Sequence, residues 1–311
     1  MTTIIRPKDH AEWLQHRSFG IGSSEVATIV GLNPWESKYQ LWRRKKGLDP
    51  AKEETFAMKA GHYLEDAVSR FWEDETGNHV IKSSAGDWIA VDTQSPWLRV
   101  SPDRTYFLGR KRLTCNKGIL ECKTTQMSID PDDVPKHWFC QLQYQMGVMG
   151  MQHGALAWLC AGREFGHKEY AFKPQFFEWL RAEVDEFWQK NIVAGEEPEP
   201  VSVADVLLKY GRHTDGKEVE ATPEAYSELC RLKGIKQHIK ELEEQQQDCE
   251  QKIKLLMLDA ERLTAQGQTI ATWKAGKDTQ KFDKKRFEAE NPQLAQMYTI
   301  SQPGTRRFVI K

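Results

Sequence analysis

Apolar residues recur along this chain at two different periods, and the changes between them predict its elements. Residues 9–16 read as a helix. A Gly/Ser-rich turn, RSFGIGSSEVATIVGL, follows, and a second helix starts there with Ser23 or Ser24 as N-cap and stops before Gly31. Residues 38–46 read helical up to Gly47. Across 55–76 the residues Phe56, Met58, Ala60, Leu64, Ala67, Val68, Phe71 and Trp72 fit one buried face, which Gly77 closes. The period then changes. HVIKSS, DWIAVD, WLRVS, RTYFLGR and GILECKTT are short β-branched or aromatic runs separated by Gly, Pro and Ser, so they predict strands. A helix over 138–150, a strand GALAWLCAG, an extended EYAFK and an amphipathic helix over 176–192 complete this part. GEEPEPVS reads as the linker beyond it.

The last third has a different character. Thr222-Pro223-Glu224 is an N-cap, a proline suited to the first helical position and a first-turn acid. Behind it Leu229, Leu232, Ile235, Ile239, Leu242, Gln246, Cys249, Ile253, Leu256, Ala260 and Leu263 step by three and four. That spacing predicts one long helix or a helical hairpin with a narrow apolar stripe. The stripe suits either packing on its own domain or contact with a partner. QTIATWKAGKDTQKF reads as a hairpin turning at Gly276, and TRRFVIK as a closing strand. The expectation is an α/β fold, a central mixed β-sheet flanked by helices over residues 1–200. A helical and β-hairpin extension follows over 201–311.

Composition narrows the class. In 311 residues, 39% hydrophobic and 10% aromatic content is enough for a packed core and excludes an intrinsically disordered chain. No run approaches the roughly 18 apolar residues of a membrane helix, and MTTIIRPKDHAEW has charges where a signal peptide needs its apolar stretch. No membrane partner and a cytoplasmic location are therefore expected. Cysteines 115, 122, 140, 160, 230 and 249 show no CxxC spacing, which predicts reduced thiols. The net charge of −1 means that a nucleic-acid partner would be held by local patches. One such patch lies at residues 268–311, where nine Lys/Arg face four Asp/Glu. Its cations Lys281, Lys284, Lys285, Arg286, Arg306 and Arg307 suit phosphate contacts or a solvated face.

Candidate chemistry gathers in SPDRTYFLGRKRLTCNKGILECKTT. Glu121 and Lys123 are two apart on a strand, so both leave the same face, together with Ile119. Charged groups beside apolar neighbours are costly unless paired or liganded. A hairpin would bring Asp103 alongside Glu121. Two carboxylates and a lysine suit a metal-dependent phosphodiesterase, since oxygen ligands favour Mg²⁺ or Mn²⁺. They equally suit a surface hairpin with a Glu/Lys pair. GHYLED puts Glu65 on the inward side of a helix. QLQYQM sets Gln141 and Tyr144 on one helical face, and Arg17, Ser23 and Ser24 surround a helix start able to hold an anion.

The order W-x3-R-x6-S-E, G-x3-E, SPD, E-x-K, Q-x2-Y resembles the lambda-exonuclease (YqaJ-type) viral recombinase family of PD-(D/E)XK nucleases over residues 11–192. The resemblance implies a restriction-endonuclease-like core in which Asp103, Glu121 and the Cys122 carbonyl bind divalent metal, Mg²⁺ with Mn²⁺ as substitute. Glu65 would add a further or water-mediated carboxylate, Lys123 would assist the attacking water, and Gln141 would support the site. Arg17, Ser24 and Ser101 match the positions that hold a DNA 5′-phosphate. It further implies 5′-to-3′ digestion of one strand at double-stranded DNA ends, leaving a 3′ tail for phage-type recombination in a bacterial host. A trimeric ring and a single-strand annealing partner belong to the same picture. The rival expectations are a structure- or site-specific endonuclease on the same fold and a non-catalytic DNA-binding assembly module. The chain's last hundred residues depart from the lambda enzyme.

Overall fold

The computed structural model describes residues 2–50, 55–81, 88–109, 116–302 and 304–310. Residues 82–87, within the expected strand run HVIKSS and the start of DWIAVD, and residues 110–115, with Cys115, lie outside that set. The chain divides into two compact units, Met1–Lys209 and Tyr210–Lys311.

The first unit carries two sheets. A four-stranded sheet has the order β1-β4-β5-β2, formed by Thr2–Ile5, Ile89–Asp92, Leu98–Val100 and Ile21–Gly22. A five-stranded sheet has the order β3-β6-β7-β8-β9, from His79–Val80, Arg104–Phe107, Lys117–Thr125, His153–Cys160 and Glu164–Ala171. Only β7 and β8 run parallel in the larger sheet. A parallel pair needs a crossover, and the helix α5 (Lys136–Met149) supplies it. The fold is thus a mixed-sheet α/β architecture.

Helix α4 (Phe56–Thr76) covers one face of the larger sheet. Its Val68 and Trp72 pack on Tyr106, Leu120, Cys122, Ala155 and Ala157. Helix α5 covers the other, with Trp138, Leu142 and Met146 against Ile119, Leu156 and Trp158. The opposite side of α5 (Cys140, Tyr144, Val148) joins a core shared by α2 (Ser23–Ile29), α3 (Lys38–Lys45), β4, β5 and α6 (Pro174–Glu186). Being apolar on two faces, α5 is buried between layers, which is why it shows little amphipathicity. Gly147 allows its approach to α6, since a Cβ there would stand 2.2 Å from the Phe177 ring. Helix α1 (His10–Ser18) is capped by Asp9, whose carboxylate accepts the Glu12 N–H. The N-cap of α2 is Gly22, so Ser23 and Ser24 occupy the first turn and are not caps.

The first unit ends beyond GEEPEPVS. Helix α6 continues as a π-helical stretch, Phe187–Val193, and α7 (Val203–Lys209) still belongs to this unit. Asp205 explains why. Its buried carboxylate accepts the Ser37 hydroxyl at 2.8 Å and the N–H groups of Val201 and Ser202.

In the second unit α8 (Pro223–Met257) is one uninterrupted helix, capped by Thr222. The hairpin that follows is β10 (Arg262–Ala265) with β11 (Gln268–Thr272), turning at Gln266–Gly267 and not at Gly276. Both turn residues have positive φ, as tight hairpin turns of matching twist require. Leu263 had been read into the helical stripe and is instead strand. Helices α9 (Lys284–Glu290) and α10 (Pro292–Met297) occupy a stretch without an expected helix, and residues 304–310 form no strand. Within α9, Lys284 and Arg286 pair with Glu288 and Glu290 four residues on, so part of the basic excess is neutralised locally.

Candidate active site

The hairpin β6–β7 sets the first residues of the site. Arg104 stands opposite Leu120, which brings Asp103 beside the next strand residues, and the Cys122 N–H donates to Asp103 Oδ2 at 2.7 Å. Alternation sends Leu120 and Cys122 into the core under α4, while Ile119 packs under α5. Glu121, only 2% exposed, meets the start of α5. Lys123 Nζ donates to Glu121 Oε1 at 2.7 Å and to Gln141 Oε1 at 3.0 Å, and Gln141 Nε2 donates to the same Glu121 oxygen. The other Glu121 oxygen accepts Gln145 Nε2 at 2.8 Å.

Gln145 escaped the sequence reading, although its i+4 spacing from Gln141 on α5 was the available signal. Tyr144, expected beside Gln141, instead turns into the core and donates its hydroxyl to the Ile21 carbonyl. Gln145 also donates to the Ser23 hydroxyl at 3.2 Å, and its own Oε1 is buried with no hydrogen-bond partner among the described residues.

Burial and the charges of Glu121 and Glu65 push the Asp103 carboxyl well above its usual range, against the opposing pull of Lys123 and the Cys122 N–H. Burial disfavours the Lys123 charge, but Glu121 and Asp103 more than offset this and hold the ammonium above its ordinary value. Lys123 is therefore a cation and a donor at neutral pH. Burial pushes the Cys122 thiol up as well, so it stays neutral. Glu65, on α4, is 3.1 Å from His62 Nδ1 and 3.7 Å from Arg104 Nη1.

A second cluster surrounds the start of α2. Arg17 Nη2 donates to Ser24 Oγ at 3.1 Å, and its guanidinium lies 4.7 Å over the Trp13 ring. Gly22 leaves room for Arg17, because a Cβ there would be 2.7 Å from Nη2. Glu25 closes the W-x3-R-x6-S-E pattern, but its role is not readable from sequence. Its buried carboxylate accepts the Gly22 N–H at 2.8 Å and pairs with Lys45 at 2.8 Å and Arg44 at 2.9 Å. Burial alone would raise this carboxyl, but Lys45, Arg17 and Arg44 bring it down to about 2. Ser101 is engaged elsewhere, donating to the Trp88 carbonyl. Ser23, next to Ser24, links the two clusters through Gln145.

Hard oxygen donors dominate the first cluster, and the mutual repulsion of Asp103, Glu121 and Glu65 is what a divalent cation would relieve. Among the described residues no three His, Cys, Asp or Glu side chains close around one point. An ion here would complete its shell with carbonyl, water and phosphate oxygens, the habit of Mg²⁺. The donor chemistry fits such an ion.

Residues 12–152 match the family described as YqaJ-like viral recombinase domain. The chain is similar to the uncharacterized protein YqaJ of Bacillus subtilis (strain 168), 29% identical over 96% of this chain and 93% of that protein. Among solved structures it is similar to an alkaline exonuclease of Laribacter hongkongensis, with TM-score 0.49 and 17% identity over 59% of this chain and 93% of that one. A phage-related exonuclease of Haemophilus somnus 129PT gives TM-score 0.41 and 10% identity over 57% and 96%.

Proposed function

We propose, from the match of residues 12–152 to the family described as YqaJ-like viral recombinase domain and from the Glu121 cluster, that the protein is a divalent-metal-dependent deoxyribonuclease. In this reading it digests one strand of linear double-stranded DNA from 5′ to 3′ and leaves a 3′ single-stranded tail for recombination. One observation carries it: Glu121 is held by Lys123, Gln141 and Gln145 on one edge of a cluster that also contains Asp103. A buried carboxylate with three converging donors is a fixed group, not a solvated surface charge.

Asp103, Glu121 and the Cys122 carbonyl are the residues to hold Mg²⁺, with Glu65 as a further carboxylate. The ion, when bound, would polarise the scissile phosphate and make a bound water more acidic. Lys123 offers its ammonium to orient that water and to balance charge developing on the phosphate. Gln141 and Gln145 fix the Glu121 carboxylate. Arg17 and Ser24 are the residues to take a terminal 5′-phosphate, a charge-assisted contact that selects ends over continuous strands; Ser101, bonded to the Trp88 carbonyl, is not among them. A single-strand annealing protein would receive the tail.

The test digests linear 5′-phosphorylated duplex beside a covalently closed circle of the same sequence, with Mg²⁺ and with EDTA. Metal-dependent release of nucleotides from the 5′-labelled end of the linear DNA alone is expected. Cutting of the circle would replace the exonuclease with an endonuclease. Binding without cleavage of either DNA, unchanged in Asp103→Ala, would leave an assembly module.

A further inference from the structure

The second unit contains six arginines. Three of them, Arg231, Arg262 and Arg286, each meet a glutamate, at 3.6, 3.4 and 2.8 Å. The other three, Arg212, Arg306 and Arg307, pair with no Asp or Glu among the described residues, and all three line one cavity of about 800 Å³. The single acid on its wall among the described residues, Asp215, is 3.0 Å from His213 Nε2. The arginines without a carboxylate are thus gathered in one place.

Two segments distant in sequence build this cavity. Residues 211–215 supply Arg212, and residues 304–307 supply Arg306, Arg307 and the Thr305 hydroxyl. Arg306 Nη1 donates to the Tyr210 carbonyl at 3.3 Å, which ties one segment to the other. A guanidinium has five N–H donors, so that bond leaves Arg306 most of its fork. Guanidinium groups stay charged throughout the physiological range, and gathering like charges is costly unless an anion relieves them. Elsewhere in the unit the charges are arranged otherwise: Lys254 pairs with Glu250, and Lys284 with Glu288.

We propose that this cavity binds phosphates of a single-stranded DNA backbone. The planar arginine fork matches phosphate oxygens two at a time, a geometry that a lysine does not offer. Two forks adjacent in sequence and a third from the facing segment suit successive phosphates along a strand, and the cavity is larger than one phosphate ion fills. Backbone contacts carry no sequence preference. In a chain of net charge −1, a local patch of this kind is how a polyanion would be held. That the anion is DNA rests on the proposed nuclease reading, whose reaction leaves a single-stranded tail; the need for an anion does not.

The test uses the full chain in EDTA, so that no strand is cut, with a fluorescein-labelled oligothymidylate bearing a 5′-hydroxyl, read by fluorescence anisotropy. Arg212→Ala/Arg306→Ala/Arg307→Ala should bind it at least tenfold more weakly than the parent. The log–log salt slope should also shrink by about 2, since each phosphate neutralised on a single strand contributes about 0.7. The matched variant Arg231→Ala/Arg262→Ala/Arg286→Ala removes the same charge from paired positions and should lose less than threefold. Circular dichroism checks folding, and if the pocket variant unfolds, Arg212→Gln alone should still cost at least threefold. Inorganic phosphate, against chloride of equal ionic strength, should leave the strand bound. A parent that does not bind, a folded pocket variant that binds equally well, or an equal loss in the matched variant would each overturn the proposal. Displacement by inorganic phosphate would overturn the assignment to a strand. Cleavage of linear duplex in Mg²⁺ is read separately, so failure of the pocket and failure of the nuclease reading are told apart.

Discussion

Replacing Glu25 by glutamine keeps the shape of the side chain and removes the charge that Lys45 and Arg44 surround. The carboxyl sits at about 2 against an ordinary 4.5. A difference of about 2.5 units is about 3 kcal/mol of differential stabilisation. Lys45 is itself buried, so glutamine also strands an ammonium, and breaking a buried pair costs about 3–5 kcal/mol. The expected loss at pH 7 is therefore at least about 3 kcal/mol. The folded-state value is depressed, so the contribution is complete above the unfolded value of 4.5 and is lost as pH falls toward 2. Near pH 3.3 about half should remain. Urea unfolding followed by tryptophan fluorescence reads this directly, because every tryptophan except Trp273 lies in the first unit. The difference between parent and Glu25→Gln should shrink as pH drops from 5 to 3. Lys45→Met added to Glu25→Gln should recover part of the loss. A cost below about 1 kcal/mol, or a difference flat from pH 7 to pH 3, would refute the reasoning.

Gln145→Leu should lower the cleavage rate at least tenfold and cost about 1–3 kcal/mol, since Glu121 Oε2 and Ser23 both lose a donor. Steady-state kinetics with a thermal melt check this, and an unchanged rate would remove Gln145 from the site. Gly22→Ala should keep the fold but reduce the preference for 5′-phosphorylated over 5′-hydroxyl ends, because the new methyl displaces the mobile end of Arg17. Competition between the two DNAs measures it, and an intact preference would count against the Arg17 pocket. Gly147→Ala should destabilise the first unit by about 1–3 kcal/mol, because the Phe177 ring occupies the space a methyl needs. Its melting temperature should fall, and an unshifted melt would contradict the close packing of α5 on α6.

The elements of the first unit were legible because period and punctuation agree there. Gly77 closes α4 both as written and as folded, and Asp9 and Thr55, where the expected helices begin, are their N-caps. The hairpin that puts Asp103 beside Cys122 was readable from strand length alone. The partners of Glu121 were only half readable. An amide on a helix surface and an amide on a buried face look alike until the packing of α5 is known, and Tyr144 was chosen where Gln145 belongs. Glu25 was illegible for a related reason: a first-turn glutamate reads as a helix-start charge, and its counter-ions Arg44 and Lys45 come from another helix. In the second unit Gln266-Gly267 was overlooked because the helical stripe runs numerically on into Leu263.

The N-terminal segment depends on residues far along the chain. Thr2 donates to the Val148 carbonyl, Ser23 accepts from Gln145, and Ile21 accepts from Tyr144, all on α5. During synthesis these first residues emerge from the ribosome well before their partners are made. The Glu121 cluster has the reverse timing. Apart from Ser23 and Glu65, its members lie between Asp103 and Gln145, a stretch that can close on itself as soon as α5 is complete. The N-terminal segment is thus made first and seated last.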